Sequence, residues 1–390
     1  EAGGPYTITL KGSNTIVLED VLVGEVWLCS GQSNMEWNYY AGVTGMREEL
    51  PQAALPNLRL LNTPRRTAQY PQDEVHAQWT RSDSSTVKSF SAVGYFFGKK
   101  LSAELGVPVG LINASWGGTP AEVWTPDSLV RSHAALSASA AKLQPAPWWP
   151  HTPGIAYNAM IAPFTALPIA GVLWYQGEGN TVAPATYSQL FSTMITSWRS
   201  AWKKEFPFYY VQIAPFTYGS YPSGALIREQ QLKTLSLPYT GMVVVDDLVE
   251  DTTDIHPRNK RDVGNRLAAL ALGDTYGLQD KGGKSPVFKS LRVEGGRAII
   301  SFDFAGPGLE LRGKKAAQLY IAGADKVFYP AEAMIRNGEL VVLSKKVKQP
   351  VAVRYAFGNT AVGNLFSKNG FPVSAFRTDE WEVSEVAYGK

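Results

Sequence analysis

Val26-Trp27-Leu28-Cys29-Ser30-Gly31-Gln32-Ser33-Asn34-Met35 decides how this chain is read. Val26 to Cys29 form an apolar run of strand length. Such a run, bounded by a turn signal, fits a strand covered on both faces of a parallel sheet. Gly31 permits a tight turn with unusual backbone angles. Gln32, Ser33 and Asn34 then stand where a helix can begin. Ser33 is either an N-cap, a position that favours serine, or a nucleophile whose oxygen lies beside free N–H groups able to stabilise an oxyanion.

The same rhythm of strand, turn and helix recurs downstream. Residues 57–61 and 108–113 read as strands, as do 169–175, 208–213 and 242–245. Helices are expected where Phe90, Val93, Phe97, Leu101 and Leu105 recur at helical spacing before Gly106. Further helices are expected over 185–204 and 223–235, and where Val263, Leu267 and Leu270 share a face. Alternating strands and helices predict a three-layer α/β/α fold around a parallel sheet. From about residue 285 the period becomes two, as in Ala298, Ile300, Phe302 and Phe304, and Asn337-Gly338 signals a hairpin. The expected division is an N-terminal β-hairpin segment over 1–19, an α/β domain over 20–280 and a C-terminal antiparallel β domain over 285–390.

Composition narrows the function. The 390 residues carry a formal net charge of +3 with Lys and Arg scattered, so neither nucleic acid nor a charged membrane surface is the expected partner. No apolar run is long enough to span a bilayer, so no membrane insertion is expected. The single cysteine, Cys29, sits inside the predicted strand, which excludes an intrachain disulfide and a cysteine-based zinc site. There is no Walker loop, dinucleotide fingerprint or His-rich metal spacing, so neither metal nor cofactor is expected. Eleven Trp and 18 Tyr suit a protein that handles sugars, although large cores use aromatics too. The chain opens on Glu1 with no apolar leader, and a removed leader or a trimmed end accounts for that equally.

Four polar turns follow predicted strands: Gly31-Gln32-Ser33, Trp116-Gly117-Gly118, Gln176-Gly177-Glu178 and Asp254-Ile255-His256. In open α/β sheets ligands bind beyond the carboxyl ends of the strands, so these turns are expected to face one crevice. The chemistry that fits is acyl transfer, which needs a hydroxyl, a base and a group that orients the base. Ser33 supplies the hydroxyl. Of four histidines only His256 follows a late buried strand and precedes a helix. Asp254 is the nearest orienting acid, with Asp251 as the alternative. The oxyanion donors expected are the backbone N–H groups of Ser33 and Gly117 and the side-chain amide of Gln176, with Gln32 and Glu178 behind them. Trp37, Trp116 and Trp124 are candidates for stacking on sugar, and Arg258 for meeting an anionic one. The stretch Gln144-Pro145-Ala146-Pro147-Trp148-Trp149-Pro150 reads as a rim or lid loop.

Together the motifs Gly31-Gln32-Ser33-Asn34-Met35, Trp116-Gly117-Gly118-Thr119, Trp174-Tyr175-Gln176-Gly177-Glu178 and Asp254-Ile255-His256-Pro257 resemble the sialate O-acetylesterase family of SGNH-type hydrolases. The resemblance spans residues 20–275. It implies Ser33 as nucleophile, His256 as base, and Gly117 and Gln176 in the oxyanion hole. The chain departs from the broader SGNH pattern at Thr253, where an Asp stands, and at Gln176, where an Asn stands. The resemblance implies an O-acetylated carbohydrate as substrate, an acetyl-serine intermediate, no cofactor, and a periplasmic or extracellular setting. Deacetylation of acetylxylan or acetyl-xyloglucan stays open beside the sialate reading. So does a carbohydrate-binding protein with no catalysis.

Overall fold

A computed structural model describes residues 1–389. The strand quoted above, β3 (Glu25–Gly31), runs through the middle of a seven-stranded sheet. The other strands are β4 (Leu55–Asn62), β5 (Thr80–Ser82), β6 (Val109–Ser115), β7 (Gly171–Tyr175), β8 (Phe208–Val211) and β9 (Thr240–Val243), in the order β5-β4-β6-β3-β7-β8-β9. All pairs are parallel except β4 with the edge strand β5.

Successive side chains of a strand point to opposite faces, and β3 shows the consequence. Trp27 and Cys29 enter one core cluster and Leu28 the other. The first cluster is covered by helices Ala92–Leu105 and Lys260–Asp274. The second is covered by helices Tyr187–Trp202 and Ser223–Thr234. The helix signals hold at atomic detail. Ser91 Oγ caps the first helix by accepting from the Gly94 N–H at 3.0 Å, and Gly106 ends it at φ 65°. It packs so closely on the helix Lys260–Asp274 that Gly264 allows no side chain: a Cβ there would lie 2.6 Å from Val93 O.

Beyond residue 285 the chain forms antiparallel ladders. One sheet holds strands Val287–Glu294, Arg297–Asp303, Glu339–Leu343 and Glu332–Arg336. Its hairpin turns at Asn337 and Gly338, both at positive φ as a two-residue turn requires. A five-stranded sheet is antiparallel except where Val327–Pro330 pairs with Ala387–Tyr388. The β region is anchored to the α/β sheet by polar side chains. Arg377 Nε meets Glu229 Oε1 at 2.6 Å, and Gln212 Nε2 donates to Ser374 Oγ at 3.1 Å. The opening hairpin, β1 (Gly3–Lys11) with β2 (Thr15–Val23), keeps Tyr6, Leu10, Ile16 and Val17 exposed.

Candidate active site

The site begins with Gly31. Its φ is 131°, and a Cβ there would lie 2.3 Å from Tyr175 O on the adjacent strand. Only glycine lets β3 end against β7 and turn at once. Gln32 is the N-cap of the short helix Ser33–Glu36, so Ser33 is its first helical residue and not the cap. Gln32 Oε1 accepts from the N–H of Gly179 at 3.1 Å and of Gly177 at 3.4 Å, which ties the first turn to the third. Among the described residues no acceptor meets the Ser33 N–H.

Ser33 Oγ and His256 Nε2 are 2.9 Å apart. A serine hydroxyl and an imidazole at that distance can exchange a proton directly. The His256 ring lies against Trp37, centroids 4.3 Å apart and planes at 17°. Burial, and after it the Lys260 charge, hold the imidazole below its ordinary pKa, while Asp254 pulls the other way.

Asp254 bends back toward His256. Its Oδ1 accepts from the His256 backbone N–H at 2.9 Å. The ring Nδ1 is 3.7 Å from that same oxygen, too far for a hydrogen bond. Asp254 therefore fixes the backbone of the base and supplies charge beside the ring. The alternative, Asp251, makes no hydrogen bond or ion pair with the imidazole among the described residues. Its Oδ1 accepts from the Thr253 N–H and Oγ at 2.8 and 2.7 Å, closing its own turn.

Two expected oxyanion donors are corrected by their surroundings. Gln176 is fully buried. Its Nε2 donates to Asn180 Oδ1 at 2.8 Å and to Thr119 O at 3.2 Å, and its Oε1 accepts from the Tyr187 hydroxyl at 2.9 Å. Every polar atom of that amide is committed to holding the third turn, so none faces Ser33. Gly117 is beside the nucleophile, and a Cβ there would lie 3.3 Å from Ser33 Cβ. Its N–H, however, donates to Glu36 Oε2 at 2.9 Å, and Glu36 is itself paired with Arg65.

The aromatic candidates separate in the same way. Trp124 is fully buried with its indole N–H on Thr119 Oγ1 at 3.0 Å, so it is core and cannot meet a sugar. Trp37 gives one face to His256. Trp116 is partly exposed, and its indole N–H donates to Trp148 O at 2.9 Å. Arg258 is exposed, with Nε 4.0 Å from Asp254 Oδ2.

Beneath the serine lies a buried polar knot. Asn34 Nδ2 donates to Glu178 Oε1 at 2.6 Å and to Ile255 O at 3.1 Å, and Asn34 Oδ1 accepts from Lys260 Nζ at 2.5 Å. One amide thus joins the first, third and fourth turns. Burial raises the Glu178 carboxyl and pushes Lys260 down to about 7, each partly offset by the other's charge. The Lys260 ammonium also sits over the rings of Trp37 and Tyr175, at 5.6 and 5.3 Å. Neither Asn34 nor Lys260 was singled out from the sequence. A signal existed for the lysine: positions 260, 263, 267 and 270 share one helix face, so Lys260 interrupts an apolar stripe.

Comparison with known proteins follows the same residues. A family model described as carbohydrate esterase, sialic acid-specific acetylesterase (SASA), matches residues 23–273. The sialate O-acetylesterases of Pongo abelii and Homo sapiens are each 30% identical over 335 residues. Those matches cover 77% of this chain and 64% of each relative's length. A solved carbohydrate acetylesterase from Xanthomonas citri superposes with a TM-score of 0.87 at 38% identity, over 97% of this chain and 86% of that one.

Proposed function

The chain belongs to the SASA family of carbohydrate esterases, and on that premise we propose that it removes acetyl groups from sugar hydroxyls through an acetyl-Ser33 intermediate. The observation that carries this is the 2.9 Å separation of Ser33 Oγ and His256 Nε2. His256, held neutral by burial and by Lys260, takes the hydroxyl proton as Oγ attacks the acetyl carbonyl. The Ser33 N–H stabilises the oxyanion. His256 returns the proton to the departing sugar alkoxide. Water then attacks the acetyl-serine with His256 again as base, and acetate leaves. Asp254 positions the loop and balances the imidazolium charge from 3.7 Å.

The family description favours O-acetylated sialic acids as substrates. Arg65 is paired with Glu36, whereas Arg258 is exposed with its Nε 4.0 Å from Asp254 Oδ2, which leaves its guanidinium open to a sugar carboxylate. Acetylated hemicellulose is the second substrate class to compare. A purely sugar-binding role has no use for a serine and a histidine in proton-transfer contact.

Acetate release from O-acetylated sialic acids and from acetylated xylo-oligosaccharides tests both points. Wild type is expected to release acetate from one of the two classes and Ser33→Ala from neither. Equal rates for wild type and Ser33→Ala remove the reading.

A further inference from the structure

The loop at 144–150 is seated on the turn that flanks the nucleophile. Pro145, Pro147 and Pro150 restrict its backbone. Two contacts fix its position. The Trp116 indole N–H donates to Trp148 O at 2.9 Å. The Trp149 ring fills the space over Gly118, where a Cβ would come within 2.3 Å of a ring carbon and where φ is 79°. Gly118 follows Gly117, which abuts Ser33. The loop is thus docked against one wall of the crevice through a residue that must be glycine.

What this docking presents outward is Trp148. The residue is 73% exposed, while Trp149 beneath it is covered in part. The two rings are 6.0 Å apart at 41°, so the partly covered indole props the exposed one. Holding a large apolar ring in water opposes the hydrophobic effect. Isolated exposed aromatics are common on surfaces. This one is distinguished by a backbone tether, a glycine-dependent seat and attachment to the turn whose Gly117 abuts the reacting serine.

We propose that Trp148 is a stacking platform for a sugar unit beyond the acetylated one, so that the substrate is an O-acetylated oligosaccharide and not a free monosaccharide. This rests on the carbohydrate esterase reading above. The apolar C–H face of a pyranose packs on an indole as another flat apolar surface would, and a rigid aromatic loses little freedom in doing so. Trp116 and Trp149 are positioning residues for the platform.

The experiment has a kinetic arm and a binding arm. In the first, kcat/KM is measured for p-nitrophenyl acetate, O-acetylated xylotetraose and O-acetylated sialyllactose with wild type, Trp148→Ala and Trp148→Phe. The ratio of kcat/KM on the better oligosaccharide to that on p-nitrophenyl acetate is expected to fall about tenfold in Trp148→Ala, through KM, and to recover in Trp148→Phe. In the second, the same oligosaccharides are titrated calorimetrically into Ser33→Ala and into Ser33→Ala with Trp148→Ala. The double variant is expected to bind about tenfold more weakly. An unchanged ratio, or equal binding by the two proteins, or no binding of either oligosaccharide, overturns the platform. Absence of any Ser33-dependent hydrolysis of p-nitrophenyl acetate overturns the esterase reading instead, and the binding arm still decides the platform.

Discussion

Ser33 Oγ and His256 Nε2 stand 2.9 Å apart across 223 residues of chain. The sheet makes this possible. β3 delivers the serine at its carboxyl end, and the loop after β9 returns the histidine to the same rim. The imidazole is then fixed by Trp37 on its face and by Asp254 on its backbone.

The acid limb of the pH–rate profile should depend on Lys260. A base works only while neutral, and a nearby cation keeps His256 neutral to lower pH. In wild type, activity is therefore retained below the ordinary imidazole range and lost as pH falls through the depressed pKa. In Lys260→Met burial still lowers the imidazole pKa but the lysine charge no longer does, so the limb in kcat/KM should move to higher pH. A profile that does not move contradicts the electrostatic role of the lysine.

Removing the knot should cost stability as well as rate. Asn34→Ala deletes hydrogen bonds to Glu178, Lys260 and Ile255 and leaves two buried ionisable groups without their shared partner. The expected loss is about 3 kcal/mol in urea unfolding. Acetate release should fall too, because the same amide holds the serine turn against the histidine loop. Full stability in the variant would show the three turns to be held by other contacts.

Gln176→Ala separates an oxyanion donor from a structural amide. Loss of a true donor lowers kcat by about 10² to 10³. Here the amide binds Asn180, Thr119 and Tyr187. The variant should lose thermal stability while kcat falls by less than about tenfold. A loss of kcat in the oxyanion range at unchanged Tm would reverse the correction.

Gly31→Ala should be poorly tolerated, since it combines a positive φ with a backbone clash at Tyr175 O. A cost of about 3 kcal/mol or more is expected in the same unfolding assay. A cost under about 1 kcal/mol would show that the turn relaxes.

The architecture was legible because apolar runs ending in glycine repeat with helical stripes between them. β3, β6 and β7 all fall where Val26–Cys29, Pro108–Asn113 and Ile169–Tyr175 place them. Their carboxyl ends bring Ser33 and His256 together as the order of strands demands. The edge strand β5 was not legible, because three residues with one buried side chain carry no period. Side-chain direction was the limit at the site. Gln176 and Gly117 sit on the right turns, yet their N–H groups are taken by Asn180 and Glu36; Glu36 is too distant in sequence to leave a local signal, and Asn180, although four residues from Gln176, gives no sign of which way the amide points. Trp124 failed for a related reason: a tryptophan near a crevice motif reads the same whether it faces the crevice or the core.

The most direct measurement is covalent. Incubation with a serine-directed phosphonate, followed by digestion and mass mapping, should place one adduct on Ser33, with none formed by Ser33→Ala and slow labelling of His256→Ala. An adduct on any other residue, or equal labelling of Ser33→Ala, would contradict the claim that this hydroxyl, activated by this imidazole, is the nucleophile.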